Sequence, residues 1–280
     1  VPVFAGSSKP LHKAPHFKPD IHGASGLEGT DELSNQPTVV PSQIEIDDAK
    51  GLNKAIWEAV TTYGSELSIV AVGPLTNLAK FFTEYPDAKR IIKKLSIMGG
   101  GFDGVYNMGY SEFNIWCDPS ATNYILEDIQ LAPKVILSPL NVTHTVICDS
   151  KIQSQIQNGI YGTTKLRKTY YELMMFFAKA YAERQDFKKG PPVHDPVAVY
   201  ILLEEYGISN IASQYKKLKL HCIEQGEEEG KFEYKEDDIN GSKVIFKIDV
   251  DSFWQHFISS LKLADEYVLH GDEMNIILDG

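Results

Sequence analysis

The chain has 280 residues, 43% of them hydrophobic and 23% charged, with a formal net charge of −11. That balance suits one large globular domain or two small ones and excludes a disordered or collagen-like chain. The acidic surplus argues against a surface that wraps DNA or RNA and leaves a small-molecule partner as the expectation.

In chain order, "VPVFAGSSKPL" reads as a short strand and a loop, without the regions of a signal peptide. Residues 10–44, rich in Pro, Gly, Ser and His, read as a long surface loop that carries His22 in "DIHGASGLEG". A helix follows over 51–64, with Leu52, Ala55, Ile56, Ala59 and Val60 on one face. "LSIVAV" (67–72) is a short apolar run, expected as a strand buried on both faces. "PLTNLAKFF" is helical, "KLSIMGG" a strand, "DPSATNYILED" a helix and "KVILSP" a strand. This alternation predicts an α/β fold: an open, mostly parallel, Rossmann-like sheet with flanking helices. Residues 163–185 form the longest helical candidate, its Tyr, Leu, Met and Phe side chains expected in the core. Beyond it, "KLKLHCIEQ", "KFEYKED" and "KVIFKID" alternate like exposed strands, and "VDSFWQHFISSLKLA" closes as an amphipathic helix. Cys117, Cys148 and Cys222 stand far apart, which gives no zinc spacing and points to a reducing, cytoplasmic setting. No apolar run approaches ~18 residues, so no membrane span is expected.

Ligands in such folds sit beyond the carboxyl ends of the strands, and the polar clusters fall there: "VGPLTN", "GGGFDGVYNMGYSEFN" and "LNVTH". Gly99, Gly101 and Gly104 fit G-x-G-x-x-G, but no helix opens within the motif as a dinucleotide fingerprint requires. The glycines read instead as a sharp turn or a close backbone approach. Asn107, Glu112, Phe113 and Asn114 then suit a sugar, with amides and a carboxylate for hydroxyls and an aromatic wall; a plain polar turn is the alternative. In "VHDPVAVY", Asp195 before Pro196 is a good helix cap, and its carboxylate equally suits a hard cation. His194 beside it titrates near neutrality and can serve as a general acid. Asn141-Val142-Thr143 matches a glycosylation acceptor, a frequent chance pattern.

Taken together, "VPVFAGSSKPL", "IHGASGLEG", "VAVGPLTNLA", "SEFNIWCDPSA", "LNVTH" and "HDPVAVY" resemble the inosine-uridine nucleoside hydrolase family, its fungal uridine-type members in particular. The resemblance covers nearly the whole chain as one hydrolase domain, 1–280. It implies hydrolysis of the N-glycosidic bond of ribonucleosides, pyrimidine-leaning, with bound Ca²⁺. It also implies a homo-oligomeric full-length parent. By that resemblance His194 matches the proton donor to the leaving base, and Asp195 and the carbonyl of Val72 match metal ligands. Asn107, Glu112 and Asn114 match positions that hold ribose hydroxyls, with Met98 and Phe113 lining the pocket and His22 and Tyr181 near the base.

The family opens with an aspartate-rich D-x-D-x-x-x-D-D motif, which this sequence does not contain. The expectation is therefore an N-terminally truncated domain, short by on the order of 60–75 residues. Such a chain should bind metal poorly and turn over slowly or not at all. A non-catalytic nucleoside- or ribose-binding protein on the same scaffold is the alternative reading.

Overall fold

The computed structural model describes residues 3–18, 21, 29–30, 50–185, 187–208 and 211–278. Its elements run α1 (Lys50–Tyr63), β1 (Ser68–Ala71), α2 (Thr76–Glu84), α3 (Ala88–Ile91), β2 (Lys94–Met98), α4 (Phe113–Cys117), α5 (Pro119–Leu126), β3 (Val135–Ser138) and α6 (Leu140–Thr143). There follow α7 (Ser150–Gln157), α8 (Lys165–Gln185), α9 (Asp195–Tyr200), α10 (Leu202–Glu205), β4 (Ala212–Cys222), β5 (Phe232–Glu236), β6 (Ser242–Ile248) and α11 (Val250–Leu278). The chain divides into two compact units. One comprises Val1–His16, Val39–His144 and His194–Ile248, the other Phe17–Thr38, Thr145–Val193 and Asp249–Gly280.

The first unit holds a six-stranded sheet in the order β1-β2-β3-β6-β4-β5. β1, β2, β3 and β6 are parallel, and β4 runs antiparallel to β6 and β5. The apolar runs read from sequence set the register, with Ile69 opposite Leu95 and Ile97 opposite Leu137. One core cluster joins Leu95, Ile97, Leu137, Leu218 and Val244 of the sheet to Phe81 and Phe82 of α2 and Ile125 of α5. Each such side chain contributes about 1.5–3 kcal/mol by leaving water. α9 packs across β1, β2 and β3. There Ala198 meets Met98 and Leu140, and the Ser96 hydroxyl donates to the Ala198 carbonyl at 2.6 Å.

Three expectations need correction. β1 is the outermost strand among the described residues and only half-buried, since among them it pairs on one side alone, with β2. "KVIFKID" is not an exposed strand. β6 lies inside the sheet with Val244, Ile245 and Ile248 buried, and Lys243 reaches Glu204 at 2.8 Å. The apolar residues 173–177 of α8 are half-buried rather than core, whereas Arg167 and Tyr181 are buried.

The second unit is helical, built on α7, α8 and α11. Asp149 caps α7 through the Ile152 amide at 2.9 Å, as an aspartate in extended conformation should. At its centre Arg167, 2% exposed, pairs with Asp265, 0% exposed. Arg167 also donates to the carbonyls of Gln155 and Ile156 at the end of α7, and Thr164 donates to Asp265. Gly159 is needed there, since a Cβ would come within 2.3 Å of the Arg167 Nε.

Candidate active site

Because β1, β2 and β3 are parallel, their carboxyl ends share one edge, and the loops expected to carry chemistry leave from it. β1 runs into Val72, which is 43% exposed, and then Gly73-Pro74. β2 ends at Met98 and enters the glycine-rich stretch. The ends of β2 and β3 are tied by Gly99 N–H donating to the Ser138 carbonyl at 3.3 Å and Leu140 N–H to the Gly100 carbonyl at 2.9 Å. What Gly99 and Gly101 approach is protein, whereas Gly104, at φ +89°, serves the turn. A Cβ on Gly101 would come within 2.1 Å of the Val105 carbonyl oxygen, and Gly100, at φ +82°, lies against Phe232.

Glu112 organises that stretch. It is 2% exposed and precedes α4 in extended conformation. Its carboxylate accepts from Asn114 N at 2.9 Å, Gly100 N at 3.0 Å and Ile115 N at 3.2 Å. Three of about four acceptor sites are thereby occupied. Burial raises its pKa to about 7 against the pull of those amides, and the Asp195 charge adds to the rise. Asn107 accepts from the Phe113 amide at 2.9 Å through its side-chain oxygen, and Asn114 donates from Nδ2 to the Met98 carbonyl at 3.3 Å. Among the described residues the Asn107 Nδ2 and the Asn114 Oδ1 take no hydrogen bond, so the two amides flanking Phe113 offer one donor group and one acceptor. A sugar hydroxyl, which donates and accepts, needs both.

α9 starts at Asp195 with Pro196 as its second residue, one residue earlier than a cap at Asp195 and a first helical proline would place it. The cap reading fails for the aspartate, because the cap position falls on His194 and Asp195 is the first residue of the helix itself. Among the described residues the carboxylate has neither a hydrogen bond nor an ion pair. It is open to solvent, yet enough protein crowds it for desolvation to raise its pKa to about 6. His194, just before the helix, is half-buried, with its Nδ1 2.8 Å from the Thr143 hydroxyl of α6. The His144 ring lies 5.5 Å from the His194 ring, and burial pushes its pKa down to about 4, so it is neutral at pH 7.

The structure thus brings Met98, Asn107, Glu112, Phe113, Asn114, His194, Asp195 and Val72 into one unit, around one edge of its sheet. Tyr181 belongs to the other unit, 8% exposed with its ring edge-on to Phe187. His22 lies outside the described residues. Sequence reasoning makes Asp118 only the cap of the helix that Pro119 opens; its buried carboxylate does accept from Ala121 N, and also from Leu11 N and the Thr76 hydroxyl. It gave no site role to Asn141, which exchanges two hydrogen bonds with the Phe102 backbone, or to Thr143, both read only within "LNVTH" and its chance glycosylation pattern. The first had a signal in Asp-Pro at a helix start; the others depend on partners 39 and 51 residues away.

A hard divalent cation suits the donors at α9, since a carboxylate without a partner is held there at a cost in desolvation that a cation would relieve. Among the described residues no group of three His, Cys, Asp or Glu clusters to form a cation cage of its own.

The fold and this edge define a class. The sequence model of the inosine-uridine preferring nucleoside hydrolase family matches residues 1–255, and the chain belongs to that family. Among its relatives is the uridine nucleosidase of Saccharomyces cerevisiae, 39% identical over 278 residues, which span 95% of this chain and 80% of the yeast protein. Two solved structures share the fold. They are a purine-preferring ribonucleoside hydrolase from Gardnerella vaginalis (TM-score 0.73, 23% identity, 92% of this chain and 78% of that one) and the plant nucleoside hydrolase PpNRh1 (0.74, 22%, 92% and 79%).

Proposed function

We propose that the protein hydrolyses the N-glycosidic bond of ribonucleosides, uridine among them, to free base and ribose. The observation that carries this reading is the pair at the start of α9: His194 fixed by Thr143, beside an Asp195 carboxylate with no partner among the described residues. The yeast relative's name supports a pyrimidine substrate, and the comparisons lend nothing to a non-catalytic binding protein. The family match runs through residues of both units, which supports treating them as one hydrolase domain. Among the described residues no helix is long and apolar enough to cross a membrane. A cytoplasmic location, argued from the three separated cysteines, and a homo-oligomeric parent, implied by the sequence resemblance, belong to the same reading.

Cleaving a bond from ribose to nitrogen builds oxocarbenium-like charge on the anomeric carbon and negative charge on the departing base. His194 meets the second demand by offering a ring N–H to the base as it leaves. Asn107 and Asn114 hold the ribose hydroxyls from either side of Phe113, and Glu112 fixes the loop that carries them. The substrate is thereby aimed and attack becomes effectively unimolecular. Met98 and Phe113 supply the apolar wall that excludes water from the sugar face. Asp195 and the Val72 carbonyl would contribute to holding Ca²⁺. When bound, that ion lowers the pKa of a water and orients hydroxyls.

The test is release of base and ribose from uridine and inosine by the purified protein, with and without Ca²⁺. Equimolar uracil and ribose, formed above the spontaneous background even if slowly, as expected without the aspartate-rich motif, and lost in His194→Ala, is the expected result. Uridine binding by calorimetry with no product formed would move the assignment to a binding protein.

A further inference from the structure

We propose that Thr143 is a positioning residue that holds the neutral ring of His194 in the tautomer protonated at Nε2. The inference rests on the hydrolase reading only for its catalytic consequence; the tautomer itself follows from geometry.

Thr143 is the last residue of α6 and is fully buried, at 0% exposure. A helical threonine usually spends its hydroxyl proton on the carbonyl one turn back. Thr62, Thr83, Thr122 and Thr169 of this chain all do so, at 2.7–3.0 Å from the carbonyl four residues earlier. Thr143 does not. The carbonyl four residues before it, on Pro139, is taken by the backbone N–H groups of Val142 and Thr143 itself. Among the described residues the Thr143 hydroxyl has one partner, the His194 Nδ1 at 2.8 Å.

A buried hydroxyl carries one proton, and leaving that proton without an acceptor costs about 1–3 kcal/mol. With Nδ1 as its only acceptor among the described residues, Thr143 donates to it. A ring nitrogen that accepts a hydrogen bond is unprotonated, so the single proton of the neutral imidazole sits on Nε2. The ring next to it adds no charge, because His144 stays neutral under burial. His194 is therefore set as a hydrogen-bond donor at Nε2 without first having to gain a charge. This is the form that can polarise an acceptor atom on a departing base from the start of the reaction, and the same hydroxyl can turn to accept from Nδ1 if the ring becomes cationic. The choice between the two ring nitrogens is thus made by a residue that itself need not touch the substrate.

The experiment is long-range ¹H–¹⁵N correlation of the imidazoles, recorded above the usual imidazole range. His194 is assigned by its absence in His194→Ala. Wild type and Thr143→Ser should show His194 with its proton on Nε2, and Thr143→Val should show a mixture of tautomers. A wild-type ring protonated at Nδ1 overturns the proposal outright and needs no variant to fold. An unchanged tautomer in Thr143→Val overturns it too. In the uridine assay, Thr143→Val should lower kcat by about ten- to a hundredfold with KM little changed, and Thr143→Ser should restore it. Equal kcat in wild type and Thr143→Val refutes the positioning role. Wild-type protein that releases no uracil refutes the hydrolase reading instead, and the nitrogen shifts still decide the tautomer.

Discussion

Glu112 shows how one side chain can be read two ways from sequence and serve both. "SEFN" suggested a group that faces a sugar, and the structure makes it first the cap of α4, with three backbone amides on its carboxylate. Burial wins over those amides, so the folded protein keeps this proton up to about pH 7, whereas the unfolded chain releases it near the ordinary glutamate value of 4.5. The stability this group adds is complete below pH 4.5 and is lost as pH rises through 7. The span amounts to on the order of 3 kcal/mol. Urea unfolding from pH 4 to 8 should show this slope in wild type relative to Glu112→Gln, and parallel pH profiles would refute it. Asp195 has the opposite character, open to solvent and without a partner among the described residues. Asp195→Asn should weaken Ca²⁺ binding, read by calorimetry, by at least about tenfold. An unchanged affinity would remove Asp195 from the ligand set.

At the scale of elements, the parallel strands were the legible part. β2 and β3 are continuous apolar runs because helices cover both faces, and both appear within a residue or two of their expected bounds. β6 was misread because Lys243 and Lys247 alternate with apolar residues as they would on an exposed strand. The Lys243 ammonium is in fact paired with Glu204 and Glu205 while its neighbours fill the core. The glycine-rich loop was legible as a close approach, but not what it approaches, since Phe232 lies more than a hundred residues on. The Thr143 contact was hidden for the same reason, a pairing across 51 residues that no local pattern encodes. Asp118 joins the N-terminal loop to α2 and α5 through Leu11, Thr76 and Ala121. Asp118→Ala leaves those donors without their buried acceptor and should cost about 3 kcal/mol in urea unfolding, more than the roughly 1 kcal/mol of an ordinary cap. A loss near 1 kcal/mol would reduce Asp118 to a cap alone.

For the whole molecule, a cation that binds only the folded state must raise its stability. Ca²⁺ at a hundred times its dissociation constant should add about 2.7 kcal/mol, visible as a higher thermal midpoint that EDTA reverses. A midpoint indifferent to Ca²⁺ and EDTA would argue against the cation site. The division of the chain has a further consequence, in time rather than in energy. The second unit is assembled from three stretches of sequence, and its buried Arg167 meets Asp265 only 98 residues later. At roughly 5–20 residues per second, a ribosome needs about 5–20 s to deliver that partner. Until α11 emerges, the guanidinium must stay hydrated, so the helical unit closes last in synthesis, after every strand of the sheet has been made.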